Sequence, residues 1–351
     1  MSYTLYLFGC RFVRKILVDN CEHLIQGNDM SFRGFMLLGH KFNKSIICLL
    51  LIFSVTPYSN GFADSSNKKQ YVVAYAQDNM ANDWRAGQIK QLQEELAKHP
   101  LIKFVYTDAK GNTASQIKNI EDFMHKKVDI LMTSPRDGKL MTPVISKVYN
   151  SGIPVILVTR NIESNDFTSF VAPDDREIAK QAAAFIADKL NGHGDILMLK
   201  GVPTTTTAIQ RTEGFMEEIK KYPGIKISAV KVANYLRADA IRMMAEVIAE
   251  GTKYDAIYAQ SDSMASGARL AMIKSGIDPS TKIIVGIDYI SEARDAIRNG
   301  TQTASFLYPT SAREAVSVVL DILGNKKVSK RVKVDSQLVT RDNVDKIAPI
   351  F

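Results

Sequence analysis

Gly152-Ile153-Pro154-Val155-Ile156-Leu157-Val158-Thr159-Arg160 is the stretch on which the fold turns. Pro154 sets the start of a short run of consecutive apolar, mostly β-branched residues. Such a run reads as a strand buried on both faces. It ends abruptly on a hydroxyl and a guanidinium. In an open α/β sheet, ligands bind in the crevice beyond the carboxyl ends of the strands. Arg160 therefore stands where a ligand would be held, if its neighbours form a parallel sheet. Alone, it reads first as a surface arginine closing a strand.

The neighbouring sequence supplies the sheet. Tyr71 to Ala76 reads as a strand, and Asn82 and Asp83 are good helix N-caps before a helix with Ile89, Leu92 and Leu96 on one face. Ile102–Tyr106 and Val128–Met132 are further strands. Helices marked by Ile117, Ile120 and Phe123, and by Met141 to Tyr149, lie between them and Gly152. A second series follows Pro173. Its strands are Asp195–Leu199, Ile225–Val230, Ala256–Ala259 and Lys282–Gly286, and its helices Arg176–Leu190, Thr207–Tyr222, Ala238–Glu250 and Ser263–Ser275. Regular βα repetition predicts an α/β fold: two doubly wound parallel-sheet lobes with right-handed crossovers and a cleft between them.

The start of the chain reads differently. A basic patch at Lys41 to Lys44, an apolar run from Ser45 to Val55 and small residues up to Ala63 form a secretory signal peptide, with Gly61 and Ala63 at the cleavage site. The run is shorter than the roughly 18 to 20 apolar residues a membrane span needs. Residues 1–63 are thus expected to be a signal peptide with an extra leader, and translation could begin at Met1, Met30 or Met36. Cys10, Cys21 and Cys48 all precede Ala63, so no disulfide framework is expected beyond it. Six basic and three acidic residues precede Asp64; without them the 45 basic and 37 acidic residues become a net charge of +5. That mild excess is scattered over helix faces, with no basic stripe suited to nucleic acid.

The expected strand ends share a chemistry. Asn82-Asp83-Trp84-Arg85 follows the first strand and holds the only tryptophan, and Thr159-Arg160 follows the fourth. Arg211 opens a helix, Asn234-Tyr235 follow the Val230 strand, Gln260-Ser261-Asp262 follow Ala259, and Asp288 follows Gly286-Ile287. Each has a bland reading as a cap or a core edge; together they line one crevice. Arginines and carboxylates hold adjacent hydroxyls through paired, charge-assisted hydrogen bonds. An aromatic ring covers the apolar face of a sugar. The set suits a polyol.

The chain resembles the type I periplasmic sugar-binding proteins, near their ribose- and galactofuranose-binding branch. The resemblance spans Gln70 to about Asn343. It rests on Gly152-Ile153-Pro154-Val155, on Gln260 to Ala268, on Gly286-Ile287-Asp288 and on Leu338 to Val344, in that order and spacing. It implies ligand contacts from Asn82, Trp84, Arg85, Arg160, Arg211, Tyr235, Ser261 and Asp288; Asp83 joins this set from its place in the first strand-end loop. It implies a three-segment hinge near Pro173, Leu307 and Val334, with lobes of 70–173 plus 308–334 and of 174–307 plus 335–351. It further implies a periplasmic monomer without cofactor that delivers a sugar to an inner-membrane ABC permease. The alternative is a ligand sensor for a receptor kinase or chemoreceptor. An enzyme is the weakest reading, because no G-x-S-x-G, metal spacing or dinucleotide fingerprint appears.

Three departures from the family pattern stand out. Thr159 replaces an acid that usually precedes the arginine, Ser261 replaces an Asn, and Leu307 replaces a polar residue. With an acid missing beside Arg160, a buried guanidinium would lack a partner, which costs several kcal/mol. An anionic polyol could then supply the balancing charge, and the expectation set against it is a neutral sugar.

Overall fold

The structure is a computed structural model that describes residues 69–351. The expected signal peptide and the three cysteines lie outside the described residues.

Two six-stranded sheets carry the fold. The first contains β1 (Tyr71–Gln77), β2 (Ile102–Asp108), β3 (Ile130–Thr133), β4 (Val155–Val158), β5 (Ser169–Ala172) and β11 (Arg331–Lys333), in the order β11-β5-β4-β3-β1-β2. The second contains β6 (His193–Lys200), β7 (Gly224–Val232), β8 (Ala256–Ala259), β9 (Ile283–Asp288), β10 (Ala304–Leu307) and β12 (Gln337–Thr340), in the order β12-β10-β9-β8-β6-β7. The same strand order thus recurs in both halves. The chain passes from the first sheet to the second after Ala172, returns after Leu307, and crosses again between Lys333 and Gln337.

The opening stretch behaves as its composition demands. All four residues of β4 are fully buried. Ile156 and Val158 pack into the cluster beneath α1 (Asp83–Leu96) and α9 (Ala312–Leu323), while Val155 and Leu157 pack into the cluster on the opposite face. That second cluster is covered by α2 (Thr113–His125) and α3 (Thr142–Asn150). Alternate side chains of a strand point to opposite faces, so a strand covered on both sides is apolar throughout. β8 repeats the pattern. Ala256 and Tyr258 face one cluster, and Ile257 and Ala259 the other. Around the second sheet lie α4 (Asp175–Lys189), α5 (Thr206–Ile219), α6 (Arg237–Ala249), α7 (Asp262–Lys274) and α8 (Ser291–Asn299).

Two features differ from the sequence reading. β12 runs antiparallel to β10, so the second sheet is mixed at its edge rather than wholly parallel. The short strands β5, β10, β11 and β12 were not assigned there, because three or four residues carry too little periodicity to separate a strand from a loop. The helices α8 and α9 were also left unassigned, although both are long enough to show an apolar face.

Candidate functional site

A cavity opens where strand ends of the two sheets face one another, and residues from both line it. Several of these residues are held in backbone conformations that side chains resist. Thr159 has φ 64°, Asn234 52°, Tyr235 63° and Asp288 122°, and Tyr289, next in the chain but outside the lining, has 59°. Positive φ in a β-branched or bulky residue is an outlier, and such strain gathers at functional sites.

On the first-sheet side, Asp78 is the hub. It directly follows β1, and its Oδ2 accepts a hydrogen bond from Arg160 Nη1 at 2.7 Å. Arg85 Nε lies 3.6 Å from its other oxygen, and Arg136 stands 3.9 Å away. Burial favours the neutral acid, but Arg160 and Arg85 hold the Asp78 carboxyl below its ordinary range. Arg85 Nη1 also donates to Gln88 Oε1 at 3.2 Å and Thr159 Oγ1 at 3.1 Å. The acid absent at Thr159 is therefore replaced by Asp78. The expectation of an unpartnered Arg160 is corrected, and with it the ground for an anionic ligand.

On the second-sheet side, Arg211 Nε donates to Asp175 Oδ1 at 2.8 Å, and both side chains are 3% exposed. Burial alone would weaken the Arg211 charge; Asp175 more than offsets it and raises the guanidinium well above its usual range. The guanidinium also donates to the Gln260 carbonyl and lies 4.5 Å above the Tyr308 ring. Asp288 lines the cavity with no side-chain hydrogen bond among the described residues. Burial pushes its carboxyl well above the ordinary carboxylate range, opposed in part by Arg211.

Aromatic groups complete the wall. Trp84 is buried, donates from Nε1 to the Tyr308 carbonyl at 3.0 Å, and sits 5.6 Å from the Tyr308 ring. It also packs into the cluster on one face of the second sheet, so it serves cavity and core together. The Tyr235 ring lies over Gly201, where a Cβ would stand 2.0 Å from the ring. The Tyr235 hydroxyl and Arg160 Nε are buried without a hydrogen-bond partner among the described residues.

Of the nine residues singled out in the sequence, Asn82, Trp84, Arg85, Arg160, Arg211, Tyr235, Ser261 and Asp288 line this cavity. Asn82 and Ser261 also cap α1 and α7. Asp83 does not line it. Its carboxylate accepts from Arg237 Nη2 at 2.9 Å and from Ser263 Oγ at 3.3 Å, beside a separate surface pocket. With 3.6 residues per turn, one step along α1 turns a side chain by about 100°. Trp84 and Arg85 face inward at the expense of Asp83. Leu307 packs beside Tyr289 and Val339, away from the cavity.

Sequence reasoning missed Asp78, Arg136, Thr207 and Tyr308 as lining residues. Asp78 was within reach of the strand-end rule, since it lies one residue beyond β1. Tyr308 follows β10, which was itself unassigned. Contacts between the halves close the cavity on two sides. Asn82 Nδ2 donates to the Tyr235 carbonyl at 2.7 Å, Thr207 Oγ1 to the Thr159 carbonyl at 3.0 Å, and Thr204 Oγ1 to the Arg136 carbonyl at 3.0 Å.

Comparison with known proteins places this geometry. Residues 73–327 match the family model described as periplasmic binding protein domain. Among curated proteins, the chain is 28% identical to a xylitol-binding protein of Mycolicibacterium smegmatis over 81% of its own length and 80% of the relative. It is 26% identical to a ribose import binding protein of Bacillus subtilis, over 85% of its length and 98% of the relative. Among solved structures, the fructose-binding periplasmic domain of a hybrid two-component system matches with a TM-score of 0.75 and 30% identity, over 79% of this chain and 93% of that one. A Bacillus halodurans ABC transporter solute-binding protein with bound myo-inositol matches with a TM-score of 0.75 and 25% identity, over 80% and 98%.

Proposed function

The chain belongs to the periplasmic binding protein family, and from that premise we propose that it is an exported solute-binding protein for a sugar or polyol. In this reading the lobes, 70–173 with 308–334 and 174–307 with 335–351, close around the ligand and present it to an ABC transporter. One observation carries the reading. The cavity between the sheets is walled by charged and aromatic strand-end side chains, several with unspent hydrogen-bonding capacity.

The chemistry follows from those groups. Guanidiniums donate to hydroxyl oxygens, the Asp288 carboxyl accepts from hydroxyl hydrogens, and Trp84 or Tyr235 covers C–H surface. Asn82, Arg85, Arg160, Arg211 and Ser261 are the further contacts, and Asp83 is reassigned to the rim. Closure by rotation about the three crossing segments accounts for burial of the cavity. Relatives named for xylitol, ribose and fructose binding support the ligand class.

A thermal-shift screen with xylitol, D-ribose, D-fructose and myo-inositol tests the reading. A binder is stabilised by RT ln(1 + [L]/Kd), about 2.7 kcal/mol at a hundred times Kd. Absence of any shift across neutral sugars and polyols overturns it. A second reading, a ligand sensor partnered with a receptor kinase, is favoured by the 30% identity to the two-component periplasmic domain. Deletion of the gene separates them. Lost uptake of labelled ligand supports transport, and lost transcriptional response with uptake intact supports sensing.

A further inference from the structure

Asp288 presents its carboxyl to the cavity from a turn that is costly to hold. Asp288 and Tyr289 are consecutive non-glycine residues with φ of 122° and 59°. Backbone of this kind is costly and persists only when its surroundings over-determine it. The surroundings here converge on Asp262, which lies behind the turn and outside the cavity lining. Its side chain is buried. Oδ2 accepts the Tyr289 backbone N–H at 2.6 Å and the Ser305 hydroxyl at 2.6 Å, and Oδ1 accepts Gln302 Nε2 at 2.7 Å. Ser305 Oγ also accepts the Tyr289 N–H, at 3.1 Å. Three elements are thereby tied to one carboxylate: the end of β9, the strand β10 and the loop before it. Space for it is built in, since a Cβ on Gly286 would stand 1.9 Å from Asp262 Oδ1.

We propose that Asp262 is a positioning residue for ligand recognition: its carboxylate pins the Asp288–Tyr289 turn and so aims the Asp288 carboxyl into the cavity. The affinity consequence rests on the sugar-binding reading above, whereas the pinning itself does not. A helix cap alone explains little of this arrangement. Asp262 sits in the first turn of α7, but the N-cap is Ser261, and the Asp262 oxygens are spent on β9, β10 and Gln302.

Two measurements on the full protein test the inference. The first needs no ligand. By NMR hydrogen exchange, Asp262→Asn should lose protection at the Tyr289 amide while the β8 amides keep theirs. Unchanged protection at Tyr289, or loss spread over the whole sheet, overturns the pinning. The second is calorimetry with whichever of xylitol, D-ribose, D-fructose or myo-inositol binds most tightly. A misaimed Asp288 loses its hydrogen bond to the ligand, so Asp262→Asn should weaken binding on the order of tenfold. In an Asp288→Asn background the same change should cost no more than about threefold, because the two residues act as one unit. Equal losses in both backgrounds mean Asp262 does not act through Asp288, and overturn the proposal. Should Asp262→Asn fail to fold, Ser305→Ala, which removes one partner and keeps the charge, must show the same pattern at smaller size. If none of the four compounds binds the wild type, the sugar reading fails, and the exchange result alone decides the role of Asp262.

Discussion

Asp78 accepts a hydrogen bond from Arg160 at 2.7 Å, although 82 residues of chain separate them. Both side chains are 3% exposed. The pair joins the end of β1 to the end of β4 and fixes which way the Arg160 guanidinium points. Removing one partner of a buried pair leaves an uncompensated charge, at a cost of about 3–5 kcal/mol. Asp78→Asn should therefore destabilise the protein by about that amount, measured by urea unfolding with an unchanged m-value. A loss below about 1 kcal/mol would place the pair among weakly coupled surface contacts.

Ligand charge is the second test. The two fully buried guanidiniums that line the cavity from opposite sides, Arg160 and Arg211, are paired with Asp78 and Asp175. Asp288 faces the cavity with no side-chain hydrogen bond among the described residues, so its carboxyl is left to pair with a ligand hydroxyl, while the paired Arg160 and Arg211 call for no ligand carboxylate. A neutral polyol should bind more tightly than its matched sugar acid in competition calorimetry. Tighter binding of the acid in every pair would show that the residual positive charge of Arg85 and Arg136 governs recognition.

Trp84 provides an optical readout. It is the only tryptophan, lines the cavity and lies 4.9 Å from the Arg85 guanidinium. Ligand in the cavity should change its emission intensity or maximum. Trp84→Ala should both abolish binding and cost about 3–5 kcal/mol of stability, since the ring also belongs to the second-sheet core. A calorimetrically confirmed ligand that leaves the emission untouched would confine Trp84 to the core.

Asp262 makes stability depend on pH. Burial raises its carboxyl to about 6, against hydrogen bonds from Ser305, Gln302 and the Tyr289 amide that favour the charged form. The charged and titratable groups around it are Arg269 on α7, Glu292 on α8, and Asp288 and Tyr289 at the end of β9. An acid raised on folding binds its proton more tightly in the native state. Its contribution is complete below about pH 4, and is lost as pH rises through about 6. The melting temperature of the wild type minus that of Asp262→Asn should accordingly fall between pH 4 and 6.5. A flat difference over that window would mean that Asp262 keeps an ordinary carboxyl.

Much of the architecture was legible without coordinates, because burial and periodicity are local properties. The unbroken apolar run of β4 could satisfy itself only between two helical layers, and the alternation of such runs with amphipathic helices implied parallel sheets with functional groups at their carboxyl ends. Arg160, Arg211, Tyr235 and Asp288 were found in this way. Strand β12 and its antiparallel direction were not, because four residues at a sheet edge carry no period and the pairing partner sets their direction.

Ion-pair partners belong to the other class. Thr159 is the immediate neighbour of Arg160 and suggested a missing acid, yet the acid comes from β1, one strand beyond the intervening β3. Asp83 is chemically suited to a polyol and flanked by the lining residues Asn82 and Trp84, yet the turn of α1 commits it to Arg237. Charge compensation is decided by distance in three dimensions, and sequence separation says little about that distance. The amino-acid order determined which side chains reach the strand ends. Only the packing of the two sheets decided which of them face the cavity, which face one another, and which carboxylate holds the turn behind Asp288.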